Sequence, residues 1–158
     1  MSNPADRSDG MLSAPLSVGL HLVTLGVGDL SRSVAFYDGL GLKRRGRDHA
    51  EVAFFEAGNV VLSLYPRSAL ARDMQVPDPG MSEGFHGVTL ACNLASQEDV
   101  DALMIRAGAL GARILRPAQP IFWGGYMGYF ADPDGHVWEA AFNPFFPFDA
   151  DGRLVVPD

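Results

Sequence analysis

The chain has 158 residues and a mass of 17.0 kDa, which is the length of one domain or of one domain built from two small halves. Apolar residues make up 47% and charged residues 20%, so a folded globular protein is expected and general disorder is excluded. The net charge of −7 argues against nucleic-acid binding and against anionic membrane surfaces. The single cysteine, Cys92, excludes an internal disulfide and a cysteine-cage metal site.

The sequence shows no pattern typical of a targeting signal or a membrane span. Residues 1–16 are mostly polar and lack a basic-then-apolar signal pattern, so they are predicted to form a loose arm. The sequence contains no run of 18 apolar residues, which a membrane span would need. We therefore expect a cytoplasmic protein.

An internal repeat organises the chain. HLVTL at 21–25 is matched by HGVTL at 86–90, and each string opens a predicted strand, over 22–27 and 87–92. A helix follows each strand. Asp29 is a candidate cap for a helix over 31–40, and Ser96 with Asp99 resembles a capping box before the second helix.

The rest of each half is predicted to be β-structure. The predicted strands are 42–45, 52–56 and 60–65 in the first half and 113–115, 128–131 and 137–142 in the second. The last two strands flank DPDG at 132–135, which suits a type I turn. Each half is therefore βαβββ. Because a half of about 60 residues buries too little alone, the halves should share a sheet or a core.

The predicted domain covers residues 17–144, with module one at 17–66 and module two at 86–144. Residues 67–85 are rich in Pro, Gly, Asp and Met and are predicted to be a linker with little regular structure. Residues 145–158 form a tail that carries Phe145, Phe146 and Phe148 among prolines. Such aromatic side chains are expected to cover an apolar surface of this chain or of a partner.

Two strings carry a resemblance to a known family: VTLGVGDLSRSVAFYDGLGL at 23–42 and GGYMGYFADPDGHVWEAAFNP at 124–144. Over residues 18–144 the chain resembles the vicinal oxygen chelate superfamily, which includes glyoxalase I, extradiol dioxygenases and bleomycin-resistance proteins. The resemblance implies an α+β fold in which two βαβββ modules form a curved mixed sheet around a cavity. It also implies a homodimer with the cavity at or near the subunit boundary.

Metal-dependent members of this superfamily hold a divalent metal through His or Glu at four strand positions. The resemblance places these positions at Leu22, Ser63, Gly87 and Glu139. Only Glu139 is a ligand type, whereas such sites need about three protein ligands. The resemblance therefore implies that no metal cofactor is expected.

An alternative keeps a metal. His21 and His86 stand one residue before the first and third ligand positions, so strand alternation should turn them away from the cavity. A β-bulge or a slipped alignment would bring them back. His21, His86 and Glu139 would then form a two-His, one-carboxylate set for Fe, Mn, Ni or Zn.

Alternation also predicts the cavity lining. The inward polar side chains would be Thr24, Ser63, Tyr65, Thr89 and Glu139. The FWGGY string adds Phe122, Trp123 and Tyr126, which would stack on a flat ligand. Trp138 and Cys92 are predicted to face the helices, with Cys92 an inert thiol.

Three functions follow from these residues. The first is a binding protein that holds a small, largely apolar or aromatic molecule in a metal-free cavity, as the bleomycin-resistance branch does. The second is an enzyme with lyase or dioxygenase-like chemistry, which uses either the metal set or Glu139 as general acid or base. The third is an accessory protein whose aromatic tail docks a partner.

Overall fold

The structure is a computed structural model that describes residues 17–80 and 84–158, and the predicted arm at 1–16 lies outside the described residues. It contains eight strands and three helices within those ranges. In chain order they are β1 Leu22–Val27, α1 Leu30–Leu40, β2 Lys43–Arg45, β3 Ala53–Ala57, β4 Val60–Pro66, α2 Arg67–Asp73, β5 Leu90–Asn93, α3 Gln97–Ala109, β6 Arg113–Pro120, β7 Tyr126–Ala131 and β8 Val137–Phe142.

The strands form two four-stranded mixed sheets with the same topology. The first sheet has the order β1-β4-β3-β2 and the second has the order β5-β8-β7-β6. β1 runs parallel to β4, and β5 runs parallel to β8, whereas the other neighbours are antiparallel. Each half is thus a βαβββ module, and this prediction is confirmed.

The predicted caps start both long helices. The Asp29 carboxylate accepts a hydrogen bond from the Arg32 amide at 3.0 Å, and the Ser96 hydroxyl accepts one from the Asp99 amide at 3.1 Å. Gly41 ends α1 in the left-handed region with a φ of 109°, which glycine adopts without a steric cost. These local signals fix where both long helices begin and where α1 ends.

The predictions for the linker and for the start of β5 were wrong. The segment predicted to be a linker without regular structure contains α2, whose sequence RSALARD is rich in good helix formers despite the prolines and glycines after it. β5 begins at Leu90 rather than at 87, because Gly87 has a φ of 76°, which is incompatible with a regular strand.

The two modules share one apolar core. One face of each sheet packs toward α1 and α3, and fully buried side chains of both halves meet between them. They include Tyr37, Phe55, Leu64, Val100 and Phe130. The Trp138 ring lies 5.9 Å from that of Tyr37, so the prediction that Trp138 packs against a helix is confirmed. Within the described residues, the helices are too short or too polar to cross a membrane.

Buried carboxylates of the turn between β7 and β8 join module two to α1. Asp134 accepts hydrogen bonds from the Gly28 amide, the Arg32 guanidinium and the Ser33 hydroxyl, at 2.8, 2.7 and 2.5 Å. Asp132 accepts one from the Tyr37 hydroxyl at 2.6 Å. Because these contacts hold the helix-facing sides together, the opposite faces of both sheets point away from the shared core.

Candidate functional site

The outward face of the second sheet carries a row of functional side chains. The strand register places Arg116 of β6 opposite Tyr129, Tyr129 opposite Glu139, and Glu139 opposite Ala91. Residues directly opposite one another in a sheet share a face, so these four side chains lie side by side. The helix-facing neighbours Phe130 and Trp138 alternate with them and are buried in the core.

Tyr129 and Glu139 form the centre of this row. The Tyr129 hydroxyl donates a hydrogen bond of 2.5 Å to Glu139 Oε2. That hydrogen bond, with help from partial burial, raises the pKa of Tyr129 to about 12. Tyr129 is therefore a neutral phenol near pH 7, and it holds one oxygen of the Glu139 carboxylate in a fixed position.

Arg116 lies beside the pair because β6 is irregular. The register between β6 and β7 shifts on both sides of Arg116, as at a β-bulge. With its amide oxygen turned toward the guanidinium, Gln119 accepts hydrogen bonds from Arg116 Nε at 2.6 Å and Nη2 at 2.9 Å. None of the ion pairs among the described residues involves Arg116, so its charge is not neutralised by a neighbouring carboxylate.

Two further rows flank the central one on this face. One row joins Gln119, Met127, Ala141 and Asn93, and the other joins Arg113, Ala131, Val137 and, at the start of β5, Thr89. The middle strands thus provide mainly apolar side chains around Tyr129 and Glu139. The β6 edge provides Arg113, Arg116 and Gln119. The face has an apolar floor, one acidic group and a basic border.

On the corresponding face of the first sheet, the arginine already has a partner and the central polar side chain is buried. Its central row is Thr24, Ser63, Phe54 and Arg45. Arg45 Nε donates to Glu56 at 2.5 Å, and Ser63 is only 2% exposed.

The helix α2 begins over this face of the first sheet. A Cβ added at Gly26 would lie 3.2 Å from the Arg67 Cα, and the Tyr65 hydroxyl bonds to Asp73, which raises the Tyr65 pKa. Predicted contacts Thr24, Ser63 and Tyr65 therefore share a face that α2 partly covers.

The predicted aromatic residues of the FWGGY loop do not gather around Glu139 within one chain. The Trp123 ring lies over Gly125, where an added Cβ would be 2.1 Å from the ring. Phe122 is fully exposed at the tip of the loop. The Tyr126 hydroxyl donates to Asp101 of α3 at 2.8 Å, which raises the Tyr126 pKa and places this side chain on the helix-facing side of β7.

Sequence reasoning located Glu139 and Thr89 on this face but missed Tyr129 and Arg116. Tyr129 alternates in phase with Met127 and Ala131, and the pairing of β7 with β8 would have placed it opposite Glu139. Arg116 was hidden because the predicted strand stopped at residue 115, whereas β6 continues to Pro120 across two irregularities.

A separate cleft of about 870 Å³ lies between the start of β2, the turn that joins β3 to β4, β5 and the C-terminal tail. Phe148 of the tail lines it, whereas Glu139 does not. Its charged groups already have partners, since Glu56 binds Arg45 and Arg153 Nε donates to Asn59 at 3.0 Å. Cys92 also lines this cleft, and burial raises the pKa of its thiol. The cleft thus offers few free polar groups.

The residues at the implied metal positions do not fit a metal site. Leu22 and Gly87 have no side-chain donor, Ser63 is buried, and Glu139 already bonds Tyr129. The alternative histidines, His21 and His86, precede the first strands of different sheets. Among residues 17–80 and 84–158, no three His, Cys, Asp or Glu side chains are grouped as a metal would require.

Two βαβββ modules with helices packed between their sheets define a glyoxalase-like fold. The model of the Glyoxalase/Bleomycin resistance protein/Dioxygenase superfamily matches residues 19–140, and the chain belongs to this superfamily. The predicted resemblance and fold class are confirmed by this match.

Solved structures agree with this assignment. A glyoxalase-related enzyme from Fulvimarina pelagi is 37% identical over 89% of this chain and 99% of its own, with a TM-score of 0.79. A glyoxalase/bleomycin resistance protein/dioxygenase from Nocardioides is 26% identical over 82% of this chain and 86% of its own, with a TM-score of 0.66. Lactoylglutathione lyase from Agrobacterium tumefaciens, 21% identical over 85% of this chain and 100% of its own, shares the fold at a TM-score of 0.63.

Proposed function

We propose that the protein binds a small, largely apolar or aromatic molecule on the outward face of the second sheet, without a metal. The observation that carries this proposal is the hydrogen bond between Tyr129 and Glu139 in the middle of that face. Ligand sites combine apolar walls with a few fixed polar groups, and here Met127, Val137 and Ala141 surround the pair.

The physical argument concerns the cost of placing a carboxylate among apolar residues. A half-buried carboxylate is costly unless its oxygens are bonded, and Tyr129 satisfies only part of the capacity of Glu139. A ligand hydroxyl or amide would supply a further donor. The loop between β6 and β7 then affects ligand binding only through its shape, and its aromatic residues Phe122, Trp123 and Tyr126 do not contact the ligand directly.

Ligand-observed NMR with a library of small aromatic fragments tests this proposal. Fragments that bind the full chain should bind at least about fivefold more weakly to Tyr129→Phe and Glu139→Gln, because each variant removes one partner of a fixed polar group. Glu56→Gln is the matched control, since Glu56 is an exposed strand carboxylate that is already paired with Arg45. Equal affinities for all three variants would contradict the proposed site.

We also propose a homodimer that forms along the edge strands β1 and β5. β1 is an edge strand of the first sheet, and β5 is an edge strand of the second. The residues just before these strands include four exposed apolar side chains: Val18, Leu20, Phe85 and Val88. An unpaired edge with apolar neighbours is suited to pairing with another copy. Sedimentation equilibrium should give twice the chain mass of 17.0 kDa, and a monomer at high concentration would contradict the dimer.

A second candidate is acid–base catalysis by Glu139, which the same short hydrogen bond favours because it orients one carboxylate oxygen. The glyoxalase-related protein from Fulvimarina pelagi, which is 37% identical, is described as an enzyme, and this supports the second candidate. Glu139→Gln should abolish turnover of a substrate while the substrate still binds. An unchanged rate in that variant would exclude Glu139 as the acid or base.

A further inference from the structure

We infer that the molecule held on this face is an organic anion whose carboxylate-type group binds Arg116 and whose far end donates a hydrogen bond to Glu139. The inference rests on the proposed function and specifies the chemistry of its ligand. It follows from the polarity of the central row, which has a cation at one end and a hydrogen-bond acceptor at the other.

The cation is set by β6. Arg116 is exposed and oriented by Gln119, and no carboxylate among the described residues lies within ion-pair distance of it. The register places Arg113 on the same face one row away. Because Gln119 occupies the Nε side of Arg116, the Nη1 and Nη2 end is left to bind a carboxylate through two parallel hydrogen bonds. The β6 border is therefore suited to one anionic group.

The first sheet provides an internal comparison. Its outward row through Ser63 also ends in an arginine, Arg45, but Arg45 Nε already binds Glu56 at 2.5 Å, and Lys43 Nζ lies 3.9 Å from the same carboxylate. The two modules therefore differ in how the arginine of an outward row is used. Module one uses its arginine in an internal ion pair, whereas module two leaves Arg116 available to a ligand.

Glu139, at the other end of the row, determines which second polar group the ligand should carry. Glu139 lies two strands from Arg116, which separates their backbones by about 9.5 Å. An anion at Arg116 is thus kept apart from the Glu139 carboxylate. A hydroxyl or amino group at the far end of the ligand would reach Glu139 and donate to it, and the apolar body would lie over Tyr129 and Met127.

Four related probes test this polarity: 4-hydroxybenzoate, benzoate, the neutral 4-hydroxybenzyl alcohol and the cationic 4-hydroxybenzamidine. Their dissociation constants are measured by NMR titration of the full chain at one fixed ionic strength. We expect 4-hydroxybenzoate to bind at least about tenfold more tightly than 4-hydroxybenzyl alcohol, as a charged hydrogen bond would provide. We also expect it to bind more tightly than benzoate.

Single-residue variants show which side chain binds the carboxylate of the probe and which binds its hydroxyl. Arg116→Gln should remove the preference for the carboxylate, and Glu139→Gln should remove the preference for the hydroxyl. Arg45→Gln is the control, because Arg45 lies on the outward face of the first sheet and is already paired with Glu56, and it should change neither preference. Amide spectra of each variant that match those of the wild type show that the fold is retained.

The outcomes separate the two proposals. If the neutral or cationic probe binds as tightly as the anion and responds to Glu139→Gln, the anion assignment is wrong while the proposed site stands. If Arg116→Gln and Arg45→Gln weaken 4-hydroxybenzoate equally, Arg116 is not the anchor. If none of the four probes binds, the proposed site and the inference both fail.

Discussion

Tyr37 on α1 donates a 2.6 Å hydrogen bond to the buried carboxylate of Asp132, which lies 95 residues later at the turn between β7 and β8. The same Tyr37 oxygen accepts a hydrogen bond from Trp138 Nε1 at 3.1 Å. Burial, and next the charge of Asp132, raise the pKa of Tyr37 far above its ordinary value. This contact joins α1 of module one to module two on the helix-facing side of the second sheet, beside the shared apolar core.

Tyr37→Phe should destabilise the fold. The change leaves the buried Asp132 carboxylate without one of its donors, which costs about 1–3 kcal/mol of unfolding free energy. Urea denaturation measures it. The control is Tyr126→Phe, whose partner Asp101 is exposed, and this change should stay within about 0.5 kcal/mol. Equal losses in the two variants would show that Asp132 does not depend on Tyr37.

Acid should weaken the junction between the modules. Although burial acts in the opposite direction, the hydrogen bond and charge of His136, together with Tyr37, lower the pKa of Asp132 in the folded protein. A group with a depressed folded pKa stabilises the fold above its ordinary value of about 3.9, and that stability is lost as pH falls through the folded pKa.

The test for Asp132 compares how steeply the unfolding free energy changes with pH in the wild type and in a variant. Unfolding free energies measured between about pH 5 and pH 3 should fall less steeply in Asp132→Asn than in the wild type. Asp132→Asn also loses stability near pH 7, because a neutral amide accepts more weakly from Tyr37. Parallel slopes would mean that other carboxyl groups dominate the acid sensitivity.

The ionisation of Tyr129 reports directly on its bond to Glu139. In the wild type its phenol should titrate near its folded pKa of about 12, and Glu139→Gln should lower that value toward the ordinary value of about 10. Carbon-13 NMR of the tyrosine ring follows each residue separately. Asp101→Asn should leave Tyr129 unchanged and should lower the pKa of Tyr126 instead. If the pKa of Tyr129 were the same in Glu139→Gln as in the wild type, the result would contradict the hydrogen bond between the two side chains.

Gly128 should not tolerate a side chain. An added Cβ would lie 2.9 Å from both the Ala118 backbone nitrogen and the Met104 methyl group, so Gly128→Ala should cost about 1–3 kcal/mol through overpacking. Gly108 in α3 offers the opposite case. Its Cβ would meet only the end of the Ile114 side chain at 3.8 Å, and Gly108→Ala should be neutral or stabilise by up to about 1 kcal/mol. Thermal or urea unfolding distinguishes the two, and equal effects would contradict the packing of α3 on β7.

The fold was predictable because local signals and the repeat agreed. The caps at Asp29 and Ser96, the DPDG turn and the alternation of β1 and β8 each specify a short element, and the matched order in both halves specifies the module. The helix α2 was missed because the prolines and glycines after it dominate the composition of that segment.

The site was only partly predictable because it depends on pairing between strands. Alternation alone separates Glu139 from the helix-facing Trp138, yet its partner Tyr129 follows only from the register of β7 against β8. The position of Arg116 depends on irregularities in β6 that no local pattern specifies. Alternation also cannot reveal that α2 covers the face that carries Ser63 and Tyr65.

Backbone amide chemical-shift mapping of bound aromatic fragments tests most directly whether the second sheet provides the binding site. We predict that the perturbed amides cluster at Ala91, Arg116, Tyr129 and Glu139, on the outward face of β5 to β8. Shifts confined to the cleft around Asn59 and Arg153, or the absence of any localised shifts, would contradict the proposed function.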